Sequence, residues 1–292
     1  MLDEYLLKLS GFKEIIVRDQ LKISGSNFSS NIMLLALDFY ANDKSLFVVL
    51  PDLYEAQKYY DELINIVDEN DVLFYPADEL LTVEMISSTG DFKYERIHTI
   101  VELINSNKKK IVVTHTNGAI KYQFSKQKWM DSIFTISKND TFDMNALAKK
   151  LVALGYEPSF QTIKTGQFSK RGSIIDIFPL GVNEPVRIDF FDDQVDTIKA
   201  YDIDTQRSIK EVDSIFIYPV TEMIYYDTEV MLATSKFNSF MASKKLSDIE
   251  EDKYNKDIIA IKEHNNIDML IRYIRFFENE PITIFDFVEN KT

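Results

Sequence analysis

The sequence predicts a mixed α/β protein, in which a parallel-sheet α/β domain is joined to an antiparallel α+β unit inserted into it or appended to it. Three observations carry this reading. Over the first 115 residues short apolar runs alternate with stretches of helical periodicity. From about Ser159 to Pro219 the pattern changes to closely spaced strands separated by turn residues. After Pro219 the chain becomes helical and more polar.

The elements follow in order. Ser45 to Leu50 is a short apolar run ended by Pro51, the form of a buried parallel strand. Asp52 suits a helix N-cap, and Leu53, Ala56, Tyr60, Leu63 and Val67 keep helical spacing behind it. Val72 to Tyr75 is a second strand closed by Pro76. Asp91 opens a helix with the stripe Tyr94, Ile97, Val101 and Ile104, and Ile111 to Thr114 is a third strand. Strand, helix, strand, helix, strand with short links requires crossovers and a parallel sheet. In the middle of the chain a helix is expected from Asp143 to Leu154 with Gly155 as its C-cap. One long strand is expected from Phe168 to Pro179. A hairpin of Val186 to Phe191 and Val195 to Tyr201 turns at Asp192-Asp193-Gln194, and a further strand covers Ile215 to Tyr218. Helices are expected over Thr228 to Phe240, Leu246 to His264 and Ile267 to Phe277. A last strand, Ile282 to Phe287, implies further structure downstream, so the residues are expected to be the front of a longer protein.

Composition narrows the function. At 292 residues the chain is about twice a typical domain length, which allows one large domain or two ordinary ones. Its 45% hydrophobic and 13% aromatic content excludes a disordered chain. A formal charge of −14 opposes phosphate backbones, so non-specific nucleic-acid binding is disfavoured. With Cys 0 there are no disulfides, thiolate nucleophiles or cysteine-held metals. The acidic start MLDEYLLKLSGFKEI lacks the basic and apolar segments of a signal peptide, and no apolar run approaches bilayer length. A soluble, cytoplasmic protein with no membrane partner is expected.

Catalytic constellations are scarce. Ser24 to Ile32 occupies the place of a phosphate loop, but only Gly25 fits G-x-x-x-x-G-K-[ST]. Ser30, Asn31 and Ile32 stand where the second glycine, the lysine and the hydroxyl belong. An ordinary Ser-capped helix start is the favoured reading there. His98, His115 and His264 have no histidine three or four residues away, so no helix-borne zinc pattern exists. His115 follows a strand end, where catalytic groups of open α/β sheets sit, but it lacks a nucleophile partner. Asp176, Asp189, Asp192, Asp193, Asp196, Asp202 and Asp204 crowd the middle block and read as a solvated strand face with turn residues. Lys108 to Lys110 reads as a basic helix C-terminus.

The hairpin is more telling. Alternation puts Ile188 and Phe190 on the core face and Arg187, Asp189 and Phe191 on the other. A large aromatic and an arginine on a solvent face, with Arg171 starting a neighbouring strand, have the composition of a protein-binding hot spot.

Arg171-Gly172-Ser173-Ile174-Ile175-Asp176-Ile177-Phe178-Pro179, Pro185 to Asp193 and Asp202 to Ser208 together resemble the N-terminal region of the bacterial transcription-repair coupling factor (Mfd) family. The excision nuclease subunit UvrB shares a looser version, and Thr205-Gln206-Arg207-Ser208 favours the coupling factors. Tyr75 to Leu80, Ser87-Ser88 and Glu95-Arg96-Ile97 look like the family's segment after the third strand. The resemblance implies a degenerate helicase-like (P-loop NTPase-like) domain from residues 1–117 and 221–292. It also implies an inserted α+β domain, 118–220, resembling the UvrA-binding domain of UvrB. The family's UvrA contacts fall on Arg171, Arg187 and Phe191, and its lost phosphate loop falls on Gly25, Ser30 and Asn31. The chain is then a non-catalytic recruiter of UvrA in nucleotide excision repair at stalled RNA polymerase, with no cofactor and no metal. The full-length family protein is an ATP-dependent DNA translocase. It also engages RNA polymerase, DNA and its own C-terminal domain, which covers the UvrA surface, through regions without a counterpart here. The alternative is a UvrB-like domain that clamps DNA or hydrolyses nucleotide. That needs a phosphate loop and an aromatic hairpin, for which Ala77 to Gly90 is too short.

Overall fold

A computed structural model describes residues 22–77, 90–244, 247–264 and 267–289. Residues 1–21 and the segment 78–89, with its share of the family resemblance and the expectation that it is too short for an aromatic hairpin, lie outside the described residues. The chain forms two compact units, residues 1–121 with 283–292 and residues 122–282. Residues 221–282, assigned from the resemblance to the α/β domain, group by contact with the second unit.

The first unit holds α1 (Phe28–Ala41), β1 (Leu46–Leu50), α2 (Leu53–Leu63), β2 (Val72–Tyr75), α3 (Gly90–Asn105), β3 (Ile111–His115) and a single turn of helix, α4 (Thr116–Ala119). The strands make a parallel sheet in the order β1-β3-β2. Alternate residues Leu46, Val48, Val72, Phe74, Ile111 and Val113 join Ile32, Ala36 and Phe39 of α1 and Ala56 and Leu63 of α2 in one apolar cluster. Period two in the strands and periods three and four in the helices are what bring these residues together. α3 packs on β2, with Ile97 and Ile100 fully buried, and Thr99 Oγ1 donates to Phe74 O at 2.8 Å.

Three local expectations change in this unit. α1 is capped by Asn27 rather than by serine: Asn27 Oδ1 accepts from Ser30 N–H at 2.9 Å, and Ser30 Oγ accepts from Asn27 N–H at 2.9 Å. The lysines 108–110 do not serve the end of the preceding helix alone. Lys109 Nζ donates to Phe39 O and to Asn42 O at the C-terminus of α1, while Lys110 Nζ lies 3.5 Å from Asp71 and 3.7 Å from Glu102. The dipole argument holds, but for a helix distant in sequence. Ile284–Phe287 is a 3-10 turn and not a strand. Thr283 N–H and Oγ1–H both donate to Asp286 Oδ2, at 2.8 and 2.9 Å, and the buried positions Ile284 and Phe287 are spaced by three. A capping box therefore overrides the apparent alternation.

The second unit opens with α5 (Lys126–Asp131), β4 (Phe134–Ser137), α6 (Met144–Ala153) and β5 (Glu157–Pro158). β6 (Gln167–Arg171), β7 (Ile174–Ile177), β8 (Val186–Phe191), β9 (Gln194–Tyr201), β10 (Ser208–Glu211) and β11 (Ser214–Ile217) follow. A six-stranded sheet runs β10-β9-β8-β7-β6-β5, antiparallel except for β5 with β6, and β11 pairs with β4. α6 is capped by Asp143, whose Oδ1 accepts from Ala146 N–H at 2.7 Å, an interaction that lowers the carboxyl pKa. Gly155 follows the helix at φ +87, where a Cβ would meet the Thr221 side chain at 2.6 Å. The expected long strand Phe168 to Pro179 is two strands, because Gly172 (φ +59) turns the chain between Arg171 and Ile174, which pair directly.

The unit closes with α7 (Asp227–Ala242), α8 (Asp248–Glu263), a 3-10 segment (Ile267–Tyr273) and α9 (Ile274–Phe277). The last two replace the single helix expected over Ile267 to Phe277. Among the described residues no helix is long and apolar enough to cross a membrane.

Candidate functional site

The antiparallel register of β6, β7 and β8 assembles the site. Asp176 pairs with Ser169 on one side and with Arg187 on the other, so these side chains share one face of the sheet. The opposite face carries Phe168, Ile175, Ile177, Val186, Ile188 and Phe190, all buried, which forces their alternates outward. Alternation along β8 therefore places Arg187, Asp189 and Phe191 as expected. Phe191 is 74% exposed, whereas Phe190 beside it is 6% exposed.

Arg171 ends β6 instead of beginning the next strand, and this placement matters. Across the Gly172 turn it reaches back to Asp176, with Nη2 donating to Oδ2 at 2.7 Å. Arg187 approaches the same carboxylate from β8: Nε donates to Oδ1 at 2.8 Å and Nη2 to Oδ2 at 2.9 Å. Its guanidinium also lies over the Tyr201 ring, 4.6 Å from the centroid, and Nη2 reaches Gln206 Oε1 at 3.4 Å. Asp176 is thus a 1% exposed carboxylate holding two arginines that are 44% and 21% exposed. Burial of the acid costs desolvation, which three charge-assisted hydrogen bonds offset. Those bonds hold the Arg187 guanidinium above its ordinary pKa, and burial, followed by the Asp176 charge, pushes the Tyr201 phenol up to about 12. Beyond its bond to Asp176, the Arg171 side chain is partly open to solvent.

Asp176 is the residue that the sequence reading misplaced. It does not belong to a solvated strand face, and its position inside the apolar run Ile174-Ile175-Asp176-Ile177-Phe178 was the signal of that. Asp192 and Asp193 do sit exposed in the hairpin turn, and Asp202 accepts from Thr205 N–H at 2.8 Å in another. No group of three or more metal-ligating side chains occurs among the described residues.

The other candidates are tied into structure. Gly25 is exposed at φ +80 with open space around it. Ser30 is committed to the cap of α1, and Asn31 Nδ2 donates to Tyr59 Oη of α2 at 3.0 Å. Phe28 in the same turn packs edge-on against Tyr59, under Lys58 Nζ at 4.1 Å. His115 is buried, with its Nε2 3.0 Å from both the backbone N and the backbone O of Ala77. His98 is exposed on α3. His264, in the left-handed region at φ 52, ends α8, stacks on Tyr225 and meets Asp227 at 3.0 Å.

Residues 134–223, which contain Arg171, Asp176, Arg187 and Phe191, match the UvrB interaction domain family. The chain is 30% identical over 302 residues to the transcription-repair-coupling factor of Bacillus subtilis, covering 99% of this chain and 25% of the relative. It is 27% identical over 273 residues to that of Staphylococcus aureus, covering 91% and 23%, and 26% identical over 296 residues to that of Staphylococcus haemolyticus, covering 98% and 25%. The chain spans about a quarter of the length of the curated relatives it matches.

Proposed function

From the premise that this chain is homologous over nearly its whole length to transcription-repair-coupling factors and carries a UvrB interaction domain, we propose that it is a non-catalytic docking module for UvrA. The observation that carries the reading is the pair Arg171 and Arg187, fixed on buried Asp176 beside the exposed ring of Phe191. Fixed guanidinium forks lose little entropy on meeting carboxylates or carbonyls of a partner, and an exposed aromatic supplies the apolar anchor. The parallel-sheet unit is read as a degenerate helicase-like domain. Its helix start spends Ser30 and Asn31 on internal bonds, and Asn31 stands where a phosphate loop carries its lysine. In this reading the module works in the bacterial cytoplasm and brings UvrA to lesions at stalled RNA polymerase. Polymerase binding, ATP-driven translocation on DNA and the covering C-terminal domain belong to the remaining length of the family protein.

The test is calorimetric titration of UvrA with the chain and with Arg187→Ala. The variant is expected to bind at least tenfold more weakly, on the scale of an interface anchor of about 1.4 kcal/mol or more. Equal affinity of the two proteins would remove this surface from the interface.

A further inference from the structure

A second apolar feature sits on a loop bonded to the arginine site. Phe160 is 89% exposed and Ile163 46% exposed, on the loop that joins β5 to β6, while Thr162 between them is fully buried. Thr162 is anchored to the same two residues that hold Arg187. Its Oγ1 donates to Asp176 O at 3.4 Å, and Tyr201 Oη donates to Thr162 O at 3.3 Å. The rest of the loop is pinned as well. Ser159 N–H donates to Phe168 O at 2.8 Å, and Gln167 Oε1 accepts from Ile163 and Lys164 N–H at 3.2 and 3.1 Å. A large ring held out by a fixed loop loses little conformational freedom on burial, the condition for an interface anchor. Along β8 the order is fixed by register. Arg187 is level with Asp176, Asp189 with Ile174 and hence with Arg171 across the turn, and Phe191 lies beyond them, at the end of β8 away from the Tyr201 and Thr162 anchor. Arg171 and Arg187, with side chains 44% and 21% exposed, supply cations to this surface.

We propose that Phe160 and Ile163 form a second apolar anchor of the UvrA-docking surface, so that the surface takes a partner segment whose carboxylates are flanked on both sides by apolar side chains. This rests on the docking reading above and extends it to a loop outside the three expected residues. The occupant is UvrA, because the loop is bonded through Thr162 to Asp176 and Tyr201, the residues that hold Arg187 in the docking surface read above.

The experiment compares calorimetric affinity for UvrA across the wild-type chain, Phe160→Ala, Phe160→Leu, Arg187→Ala and the distant surface control Ile259→Ala, with gel filtration of each protein alone. Phe160→Ala is expected to weaken binding about tenfold, Phe160→Leu to retain most affinity, and Ile259→Ala to match wild type. Wild-type affinity for Phe160→Ala together with weakened Arg187→Ala overturns this inference and leaves the docking reading standing. So does a self-associating wild type whose assembly, rather than UvrA binding, is lost in Phe160→Ala. If the wild-type chain shows no UvrA binding, the docking reading falls, and this inference with it.

Discussion

Asp176 decides the geometry of the site although it is nearly inaccessible to a partner. Two guanidiniums, from β6 and β8, converge on it, and its backbone carbonyl accepts from the Thr162 hydroxyl. Truncating one member of a buried ionic cluster leaves the others with unmet hydrogen-bonding capacity, yet both arginines here reach solvent and can relax. Asp176→Ala is therefore expected to destabilise the chain by about 2 kcal/mol, below the full cost of orphaning a buried charge. Arg171→Ala, which removes one bond from a half-exposed side chain, should cost clearly less. Urea denaturation of the variants measures both, and a neutral Asp176→Ala would mean that the carboxylate does not hold the pair. The two arginines and Phe191 were legible as a hot-spot composition from alternation alone. For Asp176 the apolar run around it signals burial, but its two partners were not legible, because they are identified only when the strands carrying them are known.

At the scale of elements, short-range chemistry and long-range pairing compete. Where local signals agree, boundaries are readable: Asp52 and Asp143 each cap the helix that follows, and Pro51 and Pro76 follow strand ends, whereas the helix expected from Leu246 is capped by Ser247 and starts at Asp248. Apolar alternation misled the reading where a cap or turn could override it, as with Thr283 and Asp286 or with Gly172. The reciprocal cap of α1 permits a direct check. Asn27→Ala removes the acceptor for Ser30 N–H and is expected to lower stability by about 1 kcal/mol. Hydrogen exchange should show the loss first in the opening turn of α1. Unchanged protection there would argue against the capping box. Short exposed strands such as β10, whose four residues are all exposed, carry no burial pattern and exist through pairing with β9.

At the scale of the whole molecule, the second unit buries tyrosines whose ionisation should set its alkaline limit. Burial raises the phenols of Tyr201 and Tyr273 from 10.0 to about 12, and that of Tyr225 also upward. The folded state therefore favours the neutral phenols. Their contribution is complete below pH 10 and is lost as pH rises from there through about 12, where the unfolded chain is ionised and the folded one is not. Stability measured by denaturant titration should fall across that window. Phenolate absorbance should show several late-titrating phenols, one fewer in Tyr201→Phe, and stability flat to pH 12 would contradict the burial of these rings. The sequence by itself determined the parallel β/α opening, the antiparallel middle, the absence of cysteine chemistry and of a phosphate-loop lysine, and the two-faced hairpin bearing Arg187 and Phe191. These are properties of composition and of periods of two and 3.6 residues, which need no distant partner. Only the tertiary structure decided that Arg171 and Arg187 meet on one carboxylate, that Lys109 closes a helix whose last turn lies 70 residues away in sequence, and that the loop bearing Phe160 is bonded through Thr162 to Asp176 and Tyr201. Each of those depends on strand register and loop anchoring between segments far apart in the chain, which local patterning does not encode.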